Sequence, residues 1–257
     1  MVRFAANLTM MFTEHAFLDR FAAAADAGFD AVEFLFPYEH PPEAIGTRLA
    51  QHGLTQALFN LPPGNWASGE RGLASLTGRI DEMVDGTARA LEYAAATGVT
   101  RLHLMAGIGD RHDPAAMARY RDAVVRTAET LAAHGIDLLL EPINARDMPG
   151  YFLNDIDAAA AMIAELGIGN VRLQFDMYHC QIIHGDITMR LRNHIKMIGH
   201  VQVASVPSRN EPDGEEVNYP FLFDELDRLG YAGIVGCEYR PRGATREGLG
   251  WFESLQR

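Results

Sequence analysis

Residues 135–142 read Gly135-Ile136-Asp137-Leu138-Leu139-Leu140-Glu141-Pro142. A helix-ending glycine comes first, suited to the left-handed cap that turns the chain back. A short apolar run follows, as expected for a strand buried on both faces. The run ends on a carboxylate. The pattern repeats outward in both directions. Gly167 precedes an apolar run over 171–176 that ends on Asp176, and Gly230 precedes one over 234–238 that ends on Glu238. Gly28, Gly53 and Gly98 stand in the same way before runs at 31–34, 55–60 and 101–105. Runs at 3–8 and 200–204 complete a set of eight. Stretches with helical spacing follow them, most clearly over 14–27, 78–97, 115–134 and 155–166.

Eight βα units are the number that closes a parallel barrel, so the expected fold is α/β, a (β/α)8 TIM barrel. A doubly wound open sheet is the alternative, but no Gly-x-Gly-x-x-Gly follows the first strand. No Pro-, Gly- or Ser-rich linker divides the chain. The 257 residues therefore read as one domain, 1–257, near the roughly 250 usual for this barrel. The longest irregular pieces, 62–77 and 207–217, fall on βα connections, where barrel enzymes carry substrate loops.

The formal charge is −12, which disfavours a nucleic-acid partner, since phosphate neutralisation needs a basic face. No apolar run approaches the ~20 residues of a membrane span, and the first residues lack a signal-peptide pattern. Cys180 and Cys237 form no metal or redox motif. The expectation is a cytoplasmic protein with a small-molecule substrate. A homo-oligomer is compatible with the sequence. Met10, Met11 and Met117 read as core or interface filler.

Glu141, Asp176, Gln202 and Glu238 stand at or near the C-terminal ends of four consecutive strands. On a closed barrel these ends face one mouth. Converging buried carboxylates repel one another, and a cation between them relieves both repulsion and desolvation. An all-oxygen set favours Mg²⁺ or Mn²⁺. Any one strand-end glutamate is as readily a loop cap; four polar ends in succession weigh against that.

Glu70-Arg71-Gly72, Glu141-Pro142-Ile143-Asn144, Asp176-Met177-Tyr178-His179 and Gly236-Cys237-Glu238-Tyr239 resemble the hydroxypyruvate isomerase family. So do Arg3-Phe4-Ala5-Ala6-Asn7-Leu8 and Asn60-Leu61-Pro62-Pro63-Gly64-Asn65-Trp66. The similarity runs over essentially the whole chain, within a superfamily that also holds xylose isomerase-like barrels, ketose 3-epimerases and endonuclease IV-type enzymes. The resemblance implies one divalent metal on Glu141, Asp176, Gln202 and Glu238, with Glu141 and Glu238 also transferring protons. It implies isomerisation of a short 2-oxo sugar acid in carbohydrate and glyoxylate metabolism: hydroxypyruvate to 2-hydroxy-3-oxopropanoate, through an enediolate stabilised by the metal. Isomerisation of 2-oxo-tetronate is the alternative, then ketose 3-epimerisation. Gln202, where ketose epimerases usually place a histidine, points to the acid isomerases. Ser205 departs from the acidic residue expected in close relatives and leaves the three- and four-carbon acids both open.

For the substrate, His179 is expected to hydrogen-bond an oxygen or to orient a metal ligand, and Asn7, Trp66 and His103 are further contacts. Trp66 is expected as a cover over the site and His103 either as a pocket or a packing residue. Arg71 is the first choice for gripping the carboxylate, with Arg209 and Arg242 behind it. Glu33 is evenly placed between orienting a pocket group and structure. His200 is expected inside the barrel with a satisfied hydrogen bond, and Cys237 to point toward the helices.

Overall fold

A computed structural model describes residues 2–255. The chain runs β1 (Arg3–Asn7), α1 (Arg20–Asp26), β2 (Ala31–Glu33), α2 (Pro42–His52), β3 (Thr55–Asn60), α3 (Ile80–Thr97), β4 (Arg101–His103), α4 (Pro114–Ala132) and β5 (Asp137–Leu140). It continues with α5 (Ile156–Leu166), β6 (Val171–Asp176), α6 (Met177–Ile183), α7 (Ile187–His194), β7 (Ile198–Val203), α8 (Tyr219–Arg228), β8 (Ile234–Cys237) and α9 (Gly250–Leu255). The eight strands pair in parallel in chain order, and β8 closes on β1, giving the expected barrel. No helix among the described residues is long and apolar enough to cross a membrane.

Local chemistry sets the helix ends. Asp113, Asp155 and Asp176 cap α4, α5 and α6 with side-chain oxygens that accept backbone N–H groups. Gly98 and Gly167 close α3 and α5 in the left-handed conformation. The first expected helix, 14–27, is shorter than its periodicity suggests. Residues 17–19 are a 3-10 turn and α1 begins only at Arg20. The segment before it wraps over the barrel end instead. Phe12, at φ 57°, is buried and gives its N–H to Thr245 Oγ1 at 2.6 Å. Met11 is buried in the core as expected, whereas Met10 turns toward the mouth.

The main core lies between the outward strand faces and the helices, with T-shaped aromatic contacts such as Phe4 against Phe223 at 5.0 Å. Cys237 belongs to it, away from the barrel axis. Inside the barrel a small apolar layer of Ala5, Ala31, Ala57 and Ile234 lies below the polar strand ends. Between β6 and β7 the register shifts, so that Gln174 pairs with His200 and Asp176 with Gln202. That shift sets Gln202 beside Asp176 on the inward face.

Candidate active site

Each strand delivers a buried polar residue at its C-terminal end: Asn7, Glu33, Asn60, His103, Glu141, Asp176, Gln202 and Glu238. Glu141 and Glu238 lie one residue past their strands, and Asp176 is both the end of β6 and the cap of α6. Above this ring opens a cavity of about 590 Å³. Glu141, Glu238, His103 and His179 face it, with Trp66, Arg71, Arg209 and Arg240 among its walls. Asp176, Gln202 and Asn7 are not among the lining residues and sit in the layer beneath.

That layer is a hydrogen-bonded network centred on Glu33. Its carboxylate accepts from Asn7 Nδ2 at 3.0 Å and Gln202 Nε2 at 2.9 Å, and pairs with His200 Nε2 at 2.7 Å. Glu33 thus orients Gln202, and His200 has its satisfied hydrogen bond. Asn7 supports Glu33. Gln202 also donates to Glu238 Oε2, and its own oxygen accepts from Gln174 Nε2 at 2.7 Å.

Buried atoms without partners gather at the cavity floor: Glu141 Oε1, Asp176 Oδ2, both ring nitrogens of His103, and Arg209 Nε. Burial and the neighbouring Glu238 and Asp176 hold the Glu141 carboxyl well above the usual range. Burial likewise pushes Asp176 up to about 6 and Glu238 up to about 8, against the opposing pull of Arg209. Arg209 thus offsets burial and the mutual repulsion of these carboxylates only in part. Glu141, Asp176 and His179 can present ligand atoms that all lie within 4.8 Å of one another. The unpartnered oxygens of Glu141 and Asp176 fit a divalent cation, and His179 can join them as a ligand only if its Nε2 gives up its proton. Gln202 stands next to this set, but as arranged its N–H groups, not its oxygen, face Glu238 and Glu33; a ligand role requires the amide to turn over.

His179 has a defined tautomer. The backbone N–H of Asn144 meets Nδ1 at 3.3 Å, and Asn144 Nδ2 lies 2.6 Å from it. Asn144 is itself fixed because its Oδ1 accepts the Asp147 N–H at 2.9 Å. Nδ1 is thus an acceptor, and burial holds the ring neutral, so Nε2 carries the proton. Nε2 lies 3.6 Å from Asp176 Oδ2 and 4.0 Å from Glu141 Oε1. Burial also keeps His103 neutral, at about 3, with Nδ1 3.7 Å from Glu141 Oε2.

The arginines divide by their partners. Arg209 is bound at 2.9 Å to Glu238 and at 3.1 Å to Asp147, and it stacks on Tyr178. Arg242 is drawn to Glu211 and Asp213 and does not line the cavity. Arg71 lies over the Trp66 ring, 3.9 Å from its centroid, and its Nη1 donates to the carbonyls of Trp66 and Glu70. It has no acidic partner among the described residues. Trp66 is half exposed and rests on Phe36. Three wall or support residues escape sequence reading: Asn144, Asp147 and Arg240. Arg240 alone had a signal, since it follows Glu238 by two and so shares its inward face. Ser205 is fully buried, and its Oγ accepts the Asn210 N–H at 3.0 Å, bracing the loop that carries Arg209. Both cysteines are free and buried, their thiols pushed up by burial.

The family model of the xylose isomerase-like TIM barrel matches residues 21–255. The chain belongs to that family. It is 55% identical to the 2-oxo-tetronate isomerase of Cupriavidus necator, over 98% of both chains. It is 40% identical to the hydroxypyruvate isomerase of Escherichia coli, over 98% of this chain and 99% of that one. Among solved structures, an AP endonuclease, family 2, from Brucella melitensis matches with a TM-score of 0.97 and 49% identity over 99% of both chains. The 3-keto-D-glucoside 4-epimerase of E. coli shares the fold with a TM-score of 0.80 at 22% identity, over 99% of both chains. The protein is an isomerase of the sugar-acid group.

Proposed function

We propose that this isomerase moves a carbonyl between C2 and C3 of a short 2-oxo acid, with 2-oxo-tetronate as the leading substrate and hydroxypyruvate as the second. The observation that carries the reading is the partnerless Glu141 and Asp176 oxygens beside Glu238, under a cavity walled by arginines. The four-carbon acid moves ahead of the order expected from the sequence. Relatives at 55% and 44% identity are 2-oxo-tetronate isomerases, and a cavity of about 590 Å³ has room for the extra carbon.

The substrate carboxylate is gripped by Arg71, whose Nε and Nη2 make no hydrogen bond among the described residues. Arg240 adds a second cation on the same wall. Arg209, already held by Glu238 and Asp147, positions the glutamate instead. His179 donates Nε2–H to a substrate oxygen. One of Glu141 and Glu238 removes the proton from C3 to give an enediolate, the hydroxyl proton passes from O3 to O2, and the other glutamate returns a proton at C2. The carbonyl passes from C2 to C3 and the composition is unchanged. Trp66 shields the intermediate from water. Glu141, Asp176 and Glu238, joined by Gln202 once its amide turns, would hold Mg²⁺ or Mn²⁺, which supplies Lewis-acid polarisation of the carbonyl. The endonuclease name of one relative is not carried over. A net charge of −12 and carboxylates in the cavity wall suit a small acid held by local cations better than a phosphate backbone.

The test is a panel of 2-oxo-tetronate, hydroxypyruvate and a neutral ketose in D₂O, followed by NMR with and without a chelator. Deuterium should enter at the carbons between which the carbonyl moves, fastest on the four-carbon acid, with loss on chelation and recovery with Mg²⁺ or Mn²⁺. Faster turnover of the neutral ketose would replace this reading with epimerisation.

A further inference from the structure

The opposite end of the barrel holds a second cavity, of about 400 Å³. Its charged walls come from strand beginnings and the turn before β7: Arg101 opens β4, Asp137 opens β5, Arg172 lies near the start of β6, and Lys196 precedes β7. Three cations against one carboxylate leave a local charge of +2, in a chain whose total is −12.

The pairing is also unusual. Most of the described arginines meet carboxylates, as Arg79, Arg192, Arg209 and Arg242 do. The Arg101 side chain makes no hydrogen bond or ion pair among the described residues, and its Nε is shut off from solvent. Arg172 gives Nη1 to the Lys196 carbonyl at 3.1 Å and has no acidic partner at ion-pair distance among the described residues. Asp137 makes no ion pair with either among the described residues; burial pushes its carboxyl up, and the charges of Arg172 and Arg101 pull against that. The space is reserved in the sequence. A Cβ on Gly199 would stand 2.7 Å from Arg172 Cβ and 2.8 Å from Leu139 Cδ2, so a glycine there lets the arginine stem pass into the cavity.

A guanidinium with a buried Nε that lacks an acceptor is an unfavourable arrangement, and a planar fork is matched by an oxyanion. We propose that this lower cavity binds a small doubly charged oxyanion of the phosphate class through Arg101 and Arg172, with Lys196 at its rim. The site lies across the barrel from the catalytic mouth and does not depend on which acid is isomerised. Because the three cations come from β4, β6 and the turn before β7, they converge only in the closed barrel. The anion therefore stabilises the folded state by mass action.

Inorganic phosphate is the probe, titrated into the full chain by calorimetry and by thermal melting, with sodium chloride at matched ionic strength as control. The expected result is saturable one-to-one binding and a melting temperature that rises with phosphate but not with chloride. Arg101→Gln, Arg172→Gln and Lys196→Gln should each weaken binding about tenfold, as for a lost charged hydrogen bond. Arg71→Gln, at the mouth, should leave it unchanged. Lys196 is exposed, so its variant keeps the test usable if an arginine variant does not fold. Absence of saturable binding, an equal effect of chloride, or loss with Arg71→Gln while the lower-cavity variants bind normally would each overturn the proposal.

Discussion

Glu33 occupies the space that a side chain on Gly236 would need: a Cβ built on Gly236 meets the Glu33 carboxylate. The glycine on β8 and the glutamate on β2 are thus one device. The absent side chain lets the carboxylate reach across the barrel to His200 and Gln202.

Gly236→Ala should displace Glu33 and strand its three donors in the interior. Overpacking and lost buried hydrogen bonds together cost about 2–4 kcal/mol, to be seen as a lower melting temperature with reduced activity. An unchanged melting curve and activity would show that the network tolerates the extra atom.

Glu141→Gln and Glu238→Gln each keep shape and remove a basic oxygen. Each should lower kcat by roughly 10²-fold or more with circular dichroism unchanged. Metal affinity must be measured in the same variants, because both residues are also proposed ligands. Full activity in either variant removes that residue from proton transfer.

Cation binding should release protons. Asp176 and Glu238 are pushed up to about 6 and about 8, and Glu141 lies well above its ordinary range, so near pH 7 the cation-free floor holds protons that a bound cation displaces. Calorimetry of Mg²⁺ or Mn²⁺ in buffers of different ionisation enthalpy should show release at pH 7 that declines as the pH passes about 8. Glu238 is raised above its ordinary 4.5, so its contribution to stability is complete below that value and is lost as the pH rises through about 8. The cation-free protein should melt lower at pH 8 than at pH 5, and the added cation should narrow the gap. Proton release independent of pH would refute the assignment.

Arg71→Lys keeps the charge and loses the fork. KM for the acids should rise with little change in kcat, while a neutral ketose should be unaffected. If the acids are turned over normally, Arg240→Lys is the next variant, since that residue lines the same wall.

Asn144→Ala removes the side-chain amide at Nδ1 of His179 and leaves only the backbone N–H at 3.3 Å. The ring should lose its fixed tautomer, and kcat should fall by about tenfold or more, as for other supports of a site ligand. NMR of the imidazole nitrogens would show whether Nε2 still carries the proton; an unchanged tautomer with reduced kcat would point to a role for Asn144 other than holding it.

The sequence alone determined the barrel and the ends of its late strands. Apolar runs, helix-closing glycines and terminal carboxylates are local signals, each set by the conformational preference or burial of a few neighbouring residues, and Glu141, Asp176, Gln202 and Glu238 are legible for that reason. Tertiary structure decided what depends on distance through space. Glu33 meets Gly236 across 203 positions of chain, the Gln202 amide is turned by partners on β2, on β6 and just past β8, and Asn144, in the loop after β5, fixes the proton of His179 on α6. The choice among Arg71, Arg209 and Arg242 was of the same kind. Their side chains are chemically alike, and only the carboxylates that closure of the barrel brings to Arg209 and Arg242, and not to Arg71, separate them.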